Sequence, residues 1–136
     1  MHDENSTYDN NFIEAFNAAC KETGVTGIIK TGVGENSDCY EAAVDLAESG
    51  CSVIFADSFG HEDYMILAAQ ENEDVWFCHS TGTKAHTKNL NNYFNAFASI
   101  YEGRYLAGIA AGMKLNEMIA NNEITEDEAI MGYVGA

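Results

Sequence analysis

Short apolar runs alternating with segments of helical period constrain this chain more than any other feature. Ser52–Ala56 (SVIFA) and Val75–Ser80 (VWFCHS) are near-continuous in apolar residues, the pattern of strands covered on both faces. Thr26–Val33 (TGIIKTGV) and Tyr93–Ile100 (YFNAFASI) read as further strands, and Ile130–Val134 (IMGYV) as a last one. Between them lie helices. Phe12, Ile13, Phe16, Ala19 and Cys20 recur at helical spacing, with Asp9 as the candidate N-cap and Gly24 as the stop. A second helix, capped by Asn36 or Ser37, turns Tyr40, Ala43, Val44 and Ala47 inward and ends at Gly50. A third runs through Tyr64, Leu67 and Ala68 to Asn72, and a long fourth spans Tyr101 to about Ile119. The predicted order is α-β-α-β-α-β-β-α-β. Strands alternating with helices imply an α/β three-layer sandwich with a mostly parallel sheet.

The long helix opens with YEGRYLAGIAAG, in which Ala107, Gly108, Ala110, Ala111 and Gly112 are small. Small residues let a helix lie close against a sheet, because intervening side chains set the backbone separation. A parallel sheet also wants a strand ahead of its first helix. Here the chain opens on a polar loop, HDENSTYDNN, and closes on a strand-like run, so both termini are expected to be cut from a longer protein.

Composition narrows the function. The 136 residues suffice for one domain with a real core. Six basic against 22 acidic residues give a formal charge of −16, which repels a phosphate backbone and argues against nucleic-acid binding. No apolar run approaches the roughly 18 residues needed to span a bilayer. Cys20, Cys39, Cys51 and Cys78 form no CxxC pair; they read as buried small hydrophobes rather than as a disulfide or metal set. Cys78 and His79 are adjacent, so on a strand they face opposite ways and cannot share one metal ion. His61 and His86 add no ligand spacing, and no metal or cofactor is expected. GxSxG, GxxxxGK[ST] and GxGxxG are all absent.

In parallel α/β sheets, ligands bind beyond the carboxyl ends of the strands. Those ends read KTGVGENSD, ADSFGHED and HSTGTKAHT. Ser58, Phe59, Gly60 and His61 follow a buried strand, where an aromatic ring, a hydroxyl and a glycine suit a ligand that stacks and hydrogen-bonds; a tight turn with a helix cap reads equally well. Asp3 and Asp9 flank Asn5–Tyr8 and could accept hydrogen bonds from hydroxyls or amines, or be a solvated loop and a cap. Phe12 either packs inward or offers its ring to a flat ligand.

Three segments carry a family likeness. DNNFIEAF resembles the DKSFN-type opening of the basic membrane protein (PnrA-like) family of periplasmic-type binding proteins. SVIFADSFGHEDYMILAAQENEDVWF is similar to that family's strand, Gly/Phe loop, helix and following strand. YEGRYLAGIAAG resembles its Glu-x-x-aromatic-Leu-x-Gly-x-x-Ala signature. The resemblance implies a type I periplasmic-binding-protein-like lobe lacking its first strand. Residues 1–129 would be the first, incomplete ligand-binding lobe and 130–136 the start of a hinge and second lobe. It further implies a lipoprotein held to the outside of the cell membrane, whose signal is absent from this chain, feeding a purine nucleoside or related small molecule to an ABC importer permease. No reaction would be catalysed.

By the same resemblance Phe12 stands where an aromatic stacks on the base, Asp3 at an early acidic position, and Ser58 and Phe59 in the loop after the next strand. Thr81 stands where the family places an aspartate against the ribose, and Ile13 where it places an asparagine. The ligand set is thus Asp3, Asp9, Phe12, Ser58, Phe59 and Thr81. A single lobe is expected to bind weakly or not at all. The alternatives are a sugar-type sensor lobe of a regulator and a standalone flavodoxin-like signalling domain, for which Asp57 would be the phosphoacceptor, although Lys84 and Lys88 come too early in the order to be its late-sheet lysine.

Overall fold

The computed structural model describes Met1 and residues 3–135; His2 and Ala136, the last residue of the expected second-lobe start, lie outside the described residues. The chain forms two compact units, Met1–Ala98 and Ser99–Ala136.

The first unit is α/β. Its elements are α1 (Thr7–Thr23), α2 (Ser37–Glu48), β1 (Val53–Ala56), a 3-10 turn (Phe59–His61), α3 (Glu62–Glu71), β2 (Trp76–Ser80), the short α4 (Ala85–Lys88) and β3 (Tyr93–Ala96). The three strands form an open parallel sheet in the order β1-β2-β3. Val53 lies opposite Trp76 and Phe77 opposite Tyr93. This is the parallel, helix-flanked architecture of a periplasmic-binding-protein-like lobe.

Alternation along the strands sorts the faces. Ile54, Ala56, Phe77 and Tyr93 turn to one side and join Cys39 and Ala43 of α2 and Met65, Ile66, Ala68 and Ala69 of α3 in a single core. On the other face, Val53, Phe55, Trp76 and Phe94 are exposed; there Trp76 stacks on Phe94 with ring centroids 5.5 Å apart, and Phe12 of α1 meets Phe55 at 6.2 Å. Asn92 ties the sheet to α3: its amide donates to the carbonyls of Ala69 at 2.9 Å and of Asn72 and Val75 at 3.0 Å. The two N–H hydrogens of that amide are shared among these carbonyls, and Asn72 O also accepts the Val75 N–H at 3.1 Å.

Several local expectations hold. Gly24 ends α1 in the left-handed conformation at φ +73, where a residue without Cβ carries no strain. Asn36 caps α2, its side chain accepting from the Asp38 N–H.

Others need correction. Ser6, not Asp9, caps α1: the Ser6 hydroxyl accepts the Asp9 N–H at 3.2 Å, which leaves the Asp9 side chain turned inward and buried. The polar loop after β2 contains the short α4. Thr26–Val33 and Ile130–Val134 are not strands. A strand exists only where a neighbour completes its ladder, and for 26–33 the sole backbone partner among the described residues is Met1.

The second unit is α5 (Ile100–Ala120) followed by a 3-10 turn at Glu126–Glu128. Thr125 and Glu128 form a capping box, in which the Thr125 N–H and hydroxyl both donate to Glu128 Oε2 at 2.9 Å. Arg104 of α5 donates to the Tyr133 hydroxyl. No helix of the described residues is long and apolar enough to cross a membrane.

Candidate functional site

The carboxyl ends of β1 and β2 open into one polar cluster. β1 ends at Ala56, and Asp57 follows with no exposed surface. Its backbone carbonyl accepts from the Tyr8 hydroxyl at 3.1 Å, which brings the start of α1 to the end of β1. Its carboxylate lies 3.9 Å from the Met1 ammonium. Burial, then a hydrogen bond to Asp9, push the Asp57 carboxyl up to about 6, against the pull of that ammonium. With both acids ionised, Asp57 has no hydrogen-bond donor and Asp9 Oδ1 has none either. A proton held on Asp57 supplies the donor that Asp9 accepts. The other Asp9 oxygen accepts the Asp3 N–H at 3.1 Å.

Ser58 continues the loop. Its hydroxyl donates to Glu35, which also accepts the Gly60 N–H at 3.0 Å, so one carboxylate clamps the loop after β1. The Ser58 carbonyl receives His79 Nε2 at 2.7 Å, and Val33 O receives His61 Nε2 at 3.2 Å. Both imidazoles are buried, and desolvation holds each below its ordinary pKa. Each is therefore a neutral donor to a carbonyl, with Nδ1 left without a partner. Phe59 projects from the same loop and is 70% exposed.

At the end of β2, Thr81 adopts φ +68, a conformation that costs a β-branched residue of the order of 1–3 kcal/mol. Its N–H donates to the Ala96 carbonyl at 3.0 Å, while its hydroxyl oxygen is buried with no partner. Gly82 is packed so tightly that an added Cβ would stand 2.4 Å from Glu62 Oε1 and Asn95 Nδ2 and 2.5 Å from His79 Nδ1. Buried Glu62 Oε1 accepts the Lys84 N–H at 2.8 Å and the Tyr93 hydroxyl at 3.3 Å. The loop after β2 is thus held from α3 and β3.

The six sequence-derived residues divide. Asp9, Ser58 and Thr81 lie in or against the polar cluster, and Phe59 stands beside it. Phe12 is half-buried between Tyr8, at a centroid distance of 5.0 Å, and Phe55. Asp3 is exposed, and its side chain accepts the Asn5 N–H at 2.9 Å in a local turn. Sequence reasoning passed over Asp57, Glu35, Glu62 and His79 as parts of the cluster. Asp57 had a signal, since it is the first residue after an apolar strand; the other three are joined only by the tertiary fold. As a phosphoacceptor Asp57 fails, because it is fully buried. Among the described residues no group of three or more His, Cys, Asp or Glu could hold a metal ion.

A parallel α/β unit with polar groups gathered beyond the carboxyl ends of its strands, the end at which such sheets take ligands, defines the class: a periplasmic-binding-protein-like lobe. Residues 3–121 match the family described as ABC transporter substrate-binding protein, PnrA-like, and the chain belongs to that family. A putative ABC transporter glucose-binding protein of Haloferax volcanii is 36% identical over 100 residues, covering 74% of this chain and 22% of its own. A purine-binding protein of Brucella abortus is 33% identical over 104 residues, covering 76% of this chain and 25% of its own. The matched region therefore spans about a quarter of each curated relative or less. No solved structure matches the chain significantly.

Proposed function

We propose that the cluster beyond β1 and β2 is one lobe's half of a binding site for a purine nucleoside or a closely related small molecule, delivered to an ABC permease from outside the cytoplasmic membrane. The observation that carries this reading is Thr81, a strained β-branched residue whose buried hydroxyl has no partner at the carboxyl end of a parallel strand. A ligand hydroxyl there would satisfy it, and a ribose offers several. Phe59, exposed beside the cluster, supplies an apolar face for a base. Phe12 in this reading supports the site by fixing Tyr8 and Phe55 and meets the base at its edge. Asp9 and Asp57 would contribute acceptors to ligand N–H or O–H groups. Asp3 contributes the backbone N–H that holds Asp9.

The role is one of binding and release, with no bond made or broken. A lobe that closes on its ligand against a second lobe gains most of its affinity on closure, so either half by itself binds weakly. A lipid anchor upstream belongs to the same reading.

A sugar ligand is the second reading, favoured by the glucose-binding name of the Haloferax relative and by the hydroxyl of Thr81 in place of a carboxylate. The two separate in one experiment, in which inosine and glucose compete for the chain and for its Phe59→Ala and Thr81→Val variants. The nucleoside reading expects inosine to bind, Phe59→Ala to weaken it about tenfold, and Thr81→Val to weaken it by a similar factor. Glucose binding with indifference to Phe59→Ala would establish the sugar reading instead.

A further inference from the structure

Phe59 presents its ring, 70% exposed, from a three-residue 3-10 turn. Neither feature fixes it in place. A ring in solvent has no packing to set its rotamer. The turn's own bonds run from the His61 N–H to Ser58 O, at 3.0 Å, and from the Glu62 N–H to Phe59 O, and a single 3-10 turn is too short to hold itself. Its order must come from outside.

Two buried histidines secure its ends. His79 Nε2 donates to Ser58 O at 2.7 Å, and the His61 ring donates to Val33 O at 3.2 Å. The middle depends on one side chain. Glu35 Oε1 accepts both the Ser58 hydroxyl and the Gly60 N–H, the latter at 3.0 Å. Phe59 lies between those two donors, so one carboxylate oxygen spans the residue that carries the ring. Hydrogen bonds to a carboxylate are the stronger kind. Gly60 makes room for it: a Cβ there would stand 2.5 Å from Glu35 Cδ and 2.7 Å from its Cβ and Oε2.

We propose that Glu35 is a positioning residue for ligand binding: without touching the ligand, it holds Phe59 in the posture that receives a flat ring, and it sets affinity through Phe59 alone. This rests on the reading of Phe59 as the stacking face. A ring already ordered loses little freedom when the ligand arrives, so removing the carboxylate moves that ordering cost into the binding step. The histidine anchors stay in place when Glu35 is lost, which confines the effect to the middle of the turn.

Two measurements on the 136-residue chain test this. The first needs no ligand: amide relaxation across Ser58–Gly60 and carbon relaxation of the Phe59 ring. Wild type should show order parameters of about 0.85 there, and Glu35→Ala should bring Phe59 below about 0.6 while Val53–Ala56 keep theirs. Gly60→Ala, whose Cβ drives the carboxylate away, should do the same. Glu35→Gln keeps an acceptor oxygen and should restore most of the order. A Phe59 as ordered in Glu35→Ala and Gly60→Ala as in wild type would overturn the proposal.

The second is a double-mutant cycle on inosine affinity. Glu35→Ala should weaken binding about threefold to tenfold when Phe59 is present, and less than about twofold in the Phe59→Ala background. Equal losses in the two backgrounds would show that Glu35 acts on the ligand directly or on the fold as a whole, and the proposal would fall. A wild type that binds neither inosine nor glucose would overturn the ligand reading instead, and the relaxation result would then decide by itself whether Glu35 orders Phe59.

Discussion

Replacing Asp57 with asparagine should stabilise the protein, and by an amount that grows with pH. Asp57 is fully buried, and its carboxyl sits at about 6 against an ordinary value of 3.8. The sign follows from proton binding. Between those two values the folded chain holds a proton that the unfolded chain has lost, so native stability falls as pH rises through the window and levels off above pH 6. At roughly 1.4 kcal/mol per pH decade, ionising Asp57 costs the folded state about 3 kcal/mol at neutral pH. Asparagine carries no charge to desolvate, and its amide can still donate to Asp9. About half of the gain accrues between pH 5 and 7.5, a range above the pI of about 4.2. The assay is urea unfolding of wild type and Asp57→Asn at both pH values. His61 and His79, held neutral by burial, lose stability in the opposite sense as pH falls below the unfolded histidine value, but that contribution is common to both proteins and cancels in their difference. The stability gap should widen in the variant's favour by about 1.4 kcal/mol from pH 5 to 7.5, a midpoint shift approaching 1 M urea. A gap that is flat across this range, or a variant less stable at pH 7.5 than at pH 5 relative to wild type, would show that Asp9 and Asp57 do not share a proton.

Gly82→Ala should destabilise by about 1–3 kcal/mol, because its Cβ meets Glu62, Asn95 and His79; thermal unfolding checks this, and the Tyr93 hydroxyl bond to Glu62 should loosen with it. Asn92→Ala removes the side-chain donor to Ala69 O and Val75 O, while Asn72 O keeps the Val75 N–H, and should cost about 1–3 kcal/mol in urea unfolding. Phe59→Ala, by contrast, removes a ring that is 70% exposed and should leave stability within about 0.5 kcal/mol while weakening nucleoside binding.

Much of the scaffold could be read from residue order, because its signals are local. Gly24 and Asn36 act on the backbone beside them, and the apolar runs of β1 and β2 need two covered faces wherever they lie. Thr26–Val33 has the same apolar character, yet strand formation needs a hydrogen-bonded neighbour, and that depends on what stands beside it in space. Asp9 shows the same limit at one residue: as a helix-start acid it reads as a cap, but Ser6 takes that role and Asp9 turns toward Asp57, 48 positions along the chain. Ser58 and Phe59 could be proposed because the carboxyl ends of parallel strands are predictable positions, whereas only the family resemblance singles out Thr81. Glu35, Glu62 and His79 could not, since their partners arrive from other elements.

The central claim is that this chain holds a small-molecule site at the carboxyl ends of β1 and β2. Its most direct test is an amide chemical-shift titration of the chain with inosine. The account predicts saturable shifts, in the weak-binding range, concentrated at Ser58–Gly60, Thr81–Gly82 and the Asp9–Phe12 turn. Saturable shifts centred elsewhere, with inosine or with glucose, would contradict it.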